Sequence, residues 1–285
     1  MIKNLIELTK IRIGFLVLTT TIIGFYLGSQ GNFSSSLLIY TMIGTLCSST
    51  GGSIINNVIE VKSDKKMDRT KDRVLPTKKI SLQFALFLGL LFIVLGIFTL
   101  YLKVNTLTAI LSALTIILYL FVYTPLKRVS WINTSIGAIP GAIPPLGGWT
   151  AATNSLDWGG IALFLILFFW QHPHFYAIAF MYKEDYSKAG LKMLPVIGNG
   201  VKRTVLHIFL HALILIPVST LPFFEPFGSS GRIYLVGAYL LSNIYMLCCL
   251  PFILEQSIEN ARLIFKTSIY YFPLLFFLIL IDTVF

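Results

Sequence analysis

LQFALFLGLLFIVLGIFTLY, residues 82–101, decides the class of this protein. Its twenty residues carry no charge, and at 1.5 Å per residue a helix of that length reaches about 30 Å, the hydrocarbon thickness of a bilayer. Such a helix has no polar face to turn toward water, so it reads as a membrane span. Comparable runs lie outward on both sides, at 12–29, 36–58, 104–124, 132–151, 159–180, 204–223, 231–254 and 265–284, which makes nine expected spans. Of the 285 residues, 56% are hydrophobic and only 12% charged, and the mean hydropathy of +0.81 excludes a soluble domain. The expected fold is all-α, a polytopic membrane protein and a single membrane-embedded domain over residues 1–285. The first run is read as a retained helix, because no small-residue cleavage signal follows it. Cys47, Cys248 and Cys249 fall inside spans without ligand spacing and are read as packing residues.

The net charge of +10 follows topology. With the N-terminus inside, nine spans place three basic residues of the N-terminal segment, eight of the 59–81 loop, Lys127 with Arg128, five of the 181–203 loop, and Arg262 with Lys266 on the inner face. That is twenty of the 22, with only Lys103 and Arg232 outside. The positive-inside rule then fixes a cytoplasmic N-terminus, and nucleic acid is not needed to explain the basicity.

Immediately before residue 82 the sequence turns polar: NNVIEVKSDKKMDRTKDRVLP, residues 56–76. Asn56, Glu60 and Asp64 are spaced by four, so they share one helical face as a column of oxygen donors. Oxygen-only donors suit a hard cation such as Mg²⁺, which is commonly shared with a substrate phosphate. Arg69, Lys71 and Arg73 follow as donors for an anion. The competing reading is a solvated helix end whose charges pair locally at i,i+3 or i,i+4.

A second polar stretch, WQHPHFYAIAFMYKEDYSKAGLKMLP, runs from Trp170 to Pro195. Glu184 and Asp185 follow a span as the first acids do, and two acidic clusters could hold two metal ions around one diphosphate; a helix-capping acidic pair is the alternative. His172 and His174 flank Pro173 at membrane depth, where a histidine is costly and marks a site by default. Neutral imidazole can ligate iron or move a proton, or simply hydrogen-bond a neighbouring helix. The two rings stand about 200° apart on a helix and should not share a face. His207 and His211 are read as packing or interfacial residues. Tyr123 and Lys127, four apart in YTPLKR, project toward a common anion despite Pro125. GAIPGAIPPLGGW, residues 137–149, is expected to be irregular and to line a central cavity, with close helix packing at the glycines as the alternative.

Taken together, NNVIEVKSDKKMDRTKDRVLP, YTPLKRVSWINTSIGAIPGAIPPLGGW and WQHPHFYAIAFMYKEDYSKAGLKMLPV resemble the three signature regions of the protoheme IX farnesyltransferase (heme O synthase) family, a branch of the intramembrane UbiA-type prenyltransferases. The resemblance runs from about residue 10 to the C-terminus. It implies a nine-helix bundle around a central cavity in the bacterial cytoplasmic membrane, with the active-site loops 56–81 and 181–203 on the cytoplasmic side. It implies Mg²⁺ as cofactor and farnesyl diphosphate, heme b and membrane lipid as partners, with association extending to heme A synthase or terminal oxidase assembly. Asn56, Glu60, Asp64, Glu184 and Asp185 then become metal ligands. Arg69, Arg73, Tyr123, Lys127 and Arg128 become diphosphate ligands, and His174 and His172 heme-binding residues. Catalysis falls to Asp64, Asp185, Lys127 and His174. Two positions depart from the family pattern: Glu60 stands where Asp is usual and Lys62 where a further acid often occurs. Prenylation of an aromatic quinone precursor and membrane transport are the rival functions.

Overall fold

The computed structural model describes residues 2–228 and 230–284. In chain order the α-helices are α1 Ile2–Thr9, α2 Ile11–Ser29, α3 Ser35–Asp64, α4 Leu82–Lys103, α5 Thr106–Ile117, α6 Thr124–Leu126, α7 Asn133–Thr153, α8 Trp158–Met181, α9 Lys183–Lys188, α10 Gly200–Thr220, α11 Arg232–Leu254 and α12 Ile258–Val284. No strand occurs among the described residues. Among the described residues eight helical stretches are long and apolar enough to cross a membrane, so the chain is an integral, multi-pass membrane protein. α7, the counterpart of the expected span 132–151, has 21 residues but is not among those eight.

The helices begin where the sequence caps them. Ser34, Ser81 and Asn105 accept from the backbone N–H of Leu37, Phe84 and Thr108, closing the first turns of α3, α4 and α5. Once formed, α4 turns large apolar side chains outward: Phe84, Phe87, Leu91, Val94 and Phe98, at steps of three and four, are all at least 40% exposed. Its opposite face is small and buried, at Ala85, Gly89 and Gly96. That inversion of the soluble pattern is what lipid selects.

Two compact units emerge, Met1–Leu156 with Asp185–Leu191, and Asp157–Glu184 with Lys192–Phe285. In the first, α3 packs chiefly on α4 and α2 on α7. The backbones there approach closely: a Cβ on Gly24 would collide with the Pro145 carbonyl, and one on Gly148 with that of Thr21. Close packing thus accounts for Gly148, while Gly147 faces open space. The expectation of an irregular backbone is corrected here, since α7 is continuous through Pro140, Pro144 and Pro145. Each proline forfeits one hydrogen bond, and a tightly packed membrane neighbour keeps the helix intact. In the second unit, α8 packs on α10 and α12, and α11 packs on the same two. Its interior holds a chain of buried hydroxyls: Tyr234 donates to the Ser219 carbonyl at 2.7 Å, and Tyr271 lies 2.8 Å from the Ser219 hydroxyl.

Candidate active site

α3 has thirty residues, about 45 Å of helix, so its polar end outruns a bilayer core of about 30 Å. Asn56, Glu60 and Asp64 sit on that end, and each is engaged by a basic side chain. Lys10 Nζ donates to Asn56 Oδ1 at 3.3 Å, Lys127 Nζ to Glu60 Oε1 at 2.6 Å, and Arg73 Nη1 to Asp64 Oδ2 at 3.0 Å. Asn56 and Asp64 are only 1% and 2% exposed, so these contacts act with little screening by water. Local i,i+3 pairing does occur, but at the exposed Lys71 and Asp68 and not at the three α3 residues. Arg128 is tied to the same helix end, donating to the Ser63 hydroxyl at 3.1 Å.

Lys127 reaches Glu60 because the helix before it is unwound. Leu118–Tyr123 forms a π-helical turn, in which the Thr124 hydroxyl donates to the Tyr119 carbonyl at 2.7 Å. Asn56 Nδ2 then donates to Thr124 Oγ1 at 3.0 Å, which fastens the turn to α3. Such insertions concentrate at functional sites because they re-aim side chains. The result brings phenol and ammonium together, as the four-residue spacing predicts: Lys127 Nζ stands 4.4 Å from the Tyr123 ring centroid. Burial alone would push the Lys127 ammonium toward neutrality, but the Tyr123 phenol and the Glu60 carboxylate outweigh it and raise its pKa.

Of the two acids in the second polar stretch, Asp185 is the one that joins this site. Asp185 Oδ1 accepts from the Asp68 N–H at 3.2 Å and Oδ2 from the Arg69 N–H at 3.1 Å, so one carboxylate holds the loop that carries Arg69 and Arg73. Asp68 itself bridges Lys188 and Lys71, each at 2.7 Å, and those two ammoniums hold its carboxyl at about 2. Tyr186 stands near Arg69, Tyr123 and Lys127, and burial raises its phenol pKa. Glu184 is exposed.

Among the described residues no three His, Cys, Asp or Glu side chains converge as a ready-made metal cage. The donor chemistry nevertheless fits Mg²⁺. Asn56, Glu60 and Asp64 offer only oxygen to a cation, and Asp185 keeps two of a carboxylate's roughly four lone-pair positions after accepting its two N–H groups. The missing ligands are those that waters and a diphosphate provide.

In the second unit the histidines diverge. His172 is fully buried. Its Nδ1 lies 2.8 Å from the Phe168 carbonyl, and its ring stacks on His211 with centroids 3.8 Å apart. His174 turns to α12, with Nδ1 2.7 Å from Ser268 Oγ and its ring stacked on Trp170 at 5.1 Å. The expectation that the two rings use different faces holds, and the packing role expected of His211 is what the stack provides. The Ser268 hydroxyl is shared between His174 and a backbone carbonyl. Ser268 Oγ lies 2.6 Å from the Phe265 carbonyl, and with its proton donated there it accepts from His174 Nδ1–H. In the neutral ring the lone pair is therefore on Nε2, the state suited to iron ligation or proton capture.

Sequence reasoning passed over Lys10, Thr124 and Tyr186. Lys10 was visible only as one of three basic residues ahead of the first span, and its link to Asn56 crosses 46 positions.

A family model described as the UbiA prenyltransferase family matches residues 17–279. A protoheme IX farnesyltransferase of Solibacter usitatus is 42% identical, with 98% of each chain covered. One of Aquifex aeolicus is 38% identical over 99% of this chain and 96% of its own. Among solved structures, a digeranylgeranylglyceryl phosphate synthase matches with a TM-score of 0.82 at 17% identity, covering 99% of this chain and 98% of that one. A UbiA homolog from Archaeoglobus fulgidus bound to GPP and Mg²⁺ matches with a TM-score of 0.68 at 17% identity, covering 97% and 99%.

Proposed function

This chain belongs to the UbiA prenyltransferase family, and from that premise we propose that it transfers a farnesyl group from farnesyl diphosphate to a vinyl group of heme b, giving heme O. The observation that carries the acceptor is the 42% identity, over 98% of both chains, to a protein named protoheme IX farnesyltransferase. The donor half of the reaction is supported by the cations gathered at the polar end of α3.

The bond that breaks is C1–O of farnesyl diphosphate, and the diphosphate leaves with the electron pair. Lys127 and Arg73 are the side chains that meet the growing negative charge, exchanging Glu60 and Asp64 for diphosphate oxygens. Arg69 and Arg128 add charge, and the Tyr123 phenol a neutral contact. Asn56, Glu60, Asp64 and Asp185, with Glu184 beside Asp185 in the chain, would hold Mg²⁺, which when bound would neutralise the leaving group further. The terminal vinyl carbon of heme b captures the allylic cation, and water adds to the carbon left electron-deficient beside the porphyrin. His174, with its basic Nε2, accepts the proton that this water loses or ligates the iron, and His172 supports the acceptor on the adjoining helix face. The balance is farnesyl diphosphate, heme b and water in, heme O, diphosphate and a proton out. The chain acts in the bacterial cytoplasmic membrane with its basic loops inside, and heme A synthase or oxidase assembly is the natural recipient of the product.

Purified protein incubated with heme b, farnesyl diphosphate and Mg²⁺ should release diphosphate and form a species with the mass of heme O, and chelating the metal should stop both. Diphosphate release that requires an aromatic acid instead of heme b would overturn the assignment.

A further inference from the structure

α11 carries an amide at its centre that its own helix only half satisfies. Asn243 is the middle residue of the 23 in Arg232–Leu254, so it lies near the midplane of a bilayer that the helix crosses. It is partly exposed. Its Nδ2 donates to the Tyr239 carbonyl at 2.8 Å, and among the described residues no further hydrogen bond engages the second amide proton or Oδ1. Hydrocarbon offers those two groups nothing, which makes the position costly without a partner. Thr99 on α4 and Thr267 on α12 are also partly exposed, but each donates its only proton to a carbonyl of its own helix, at 2.7 and 2.9 Å.

The residues around Asn243 form a continuous seam. Val236, Leu240, Asn243, Leu247, Leu250 and Leu254 follow one another at steps of four and three, the spacing that keeps one face of a helix against a partner helix. The seam turns away from the rest of the chain. Tyr234, Ala238, Ser242, Tyr245 and Cys249 are the buried side of α11, which packs on α10 and α12. Val236, Leu240, Leu247 and Leu254 are instead 57%, 54%, 59% and 86% exposed. No charged residue interrupts the helix after Arg232.

Apolar residues at this spacing are common to lipid-facing helices, and α11 differs in having an amide among them. Leucine side chains gain little by leaving lipid for one another, so association inside a bilayer depends on packing and on polar groups that hydrogen-bond between helices. In a two-stranded coiled coil a single asparagine in the seam also fixes the register and the number of partners.

We infer that the outer face of α11 docks a second copy of this chain, and that Asn243 pairs across the dimer with its own counterpart. Two properties select a second copy as the occupant. Copies of one membrane protein share one orientation, so a two-fold axis between them runs along the membrane normal, and the two α11 helices meet in parallel with equal residues at equal depth. Each Asn243 also has one N–H and one carbonyl oxygen left after its contact with Tyr239, so two copies complete each other by reciprocal N–H to O bonds. An unrelated helix would need an amide of its own at the same depth.

Sedimentation equilibrium of the full chain in density-matched detergent micelles tests this directly, since one copy has a mass of 31.9 kDa. Wild type should pass from one copy to two per micelle as its concentration in the detergent rises. Asn243→Leu should raise the dissociation constant about tenfold, and Asn243→Gln, which keeps the donor and the acceptor, should stay within about threefold of wild type. Leu247→Ala, the next seam position, should raise it about threefold through lost packing. Leu91→Ala, exposed on α4, should leave it unchanged. Wild type that stays monomeric at every concentration would overturn the proposal. A dimer that Asn243→Leu leaves as tight as wild type, or tighter, would put the contact on another face and overturn it as well. If Asn243→Leu does not fold, unchanged association in Leu247→Ala overturns it instead.

Discussion

The polar end of α3 and the histidines of α8 are both buried polar groups in a membrane protein, yet they are satisfied in opposite ways. Around α3, charge is met by charge: Glu60 by Lys127 and Asp64 by Arg73. On α8, imidazoles are met by neutral groups, His172 by the Phe168 carbonyl and His174 by the Ser268 hydroxyl. Ion pairs of this kind can exchange partners, since each cation that leaves a carboxylate for a diphosphate frees that carboxylate for a metal. Histidines fixed by neutral partners have no counter-ion to exchange, and each ring leaves its Nε2 beyond that hydrogen bond. The first arrangement suits a polyanion that arrives and departs, the second an acceptor that must be held or deprotonated.

If that contrast is right, the largest loss follows removal of one charge from the α3 set. Asp64→Asn keeps the shape of the side chain but leaves Arg73 opposite an amide at a position 2% exposed. We expect kcat/KM to fall about 10³-fold, as when a preorganised charge contact is lost, with thermal unfolding showing an intact fold. Turnover near wild type would break the comparison on its charged side.

Lys127→Ala comes next. Glu60, only 15% exposed, loses its partner, and stranding such a charge costs up to about 3–5 kcal/mol in folding. Affinity for farnesyl diphosphate should drop about 10²-fold. Tyr123→Phe removes a neutral contact, and its loss should stay below about tenfold. Equal losses in the two variants would mean that the ammonium has no special part.

Asp185→Asn sharpens the comparison because this carboxylate is met by backbone amides and not by a cation. Asparagine keeps one oxygen for an N–H, so the loss should be smaller than for Asp64→Asn, on the order of 10- to 100-fold. The Mg²⁺ concentration for half-maximal activity should rise. An unchanged Mg²⁺ requirement would reduce Asp185 to an anchor for the loop.

These contrasts also mark what the sequence could and could not tell. The expected spans 82–101 and 159–180 became Leu82–Lys103 and Trp158–Met181, because hydrophobic length is a local property. The meeting of Tyr123 and Lys127 was legible too, since a four-residue spacing survives the π-turn. Partnerships across the chain were not. Nothing local links Asp185 to backbone amides 116 and 117 positions away, His174 to a serine 94 positions away, or Lys10 to Asn56. Composition also overstated irregularity in α7, where prolines read as breaks but packing against α2 keeps the helix whole.

The mildest change, and the finest test of the histidine side, is Ser268→Ala. Ser268 fixes His174 by accepting Nδ1–H while donating to the Phe265 carbonyl. Without that hydroxyl the Nδ1–H loses its partner, and the ring is free to turn, which displaces Nε2, or to change tautomer, which puts the lone pair on Nδ1. One neutral hydrogen bond is worth about 1 kcal/mol, so heme affinity or turnover should fall about fivefold. His174→Ala, which deletes the ring, should cost more, and farnesyl diphosphate affinity should be unmoved in both because neither side chain is among the proposed diphosphate ligands. Ser268→Thr keeps the hydroxyl and should recover most of the loss. A Ser268→Ala variant with the heme titration spectrum and turnover of wild type would show that the orientation of His174 does not matter, and the imidazole would then be a packing residue.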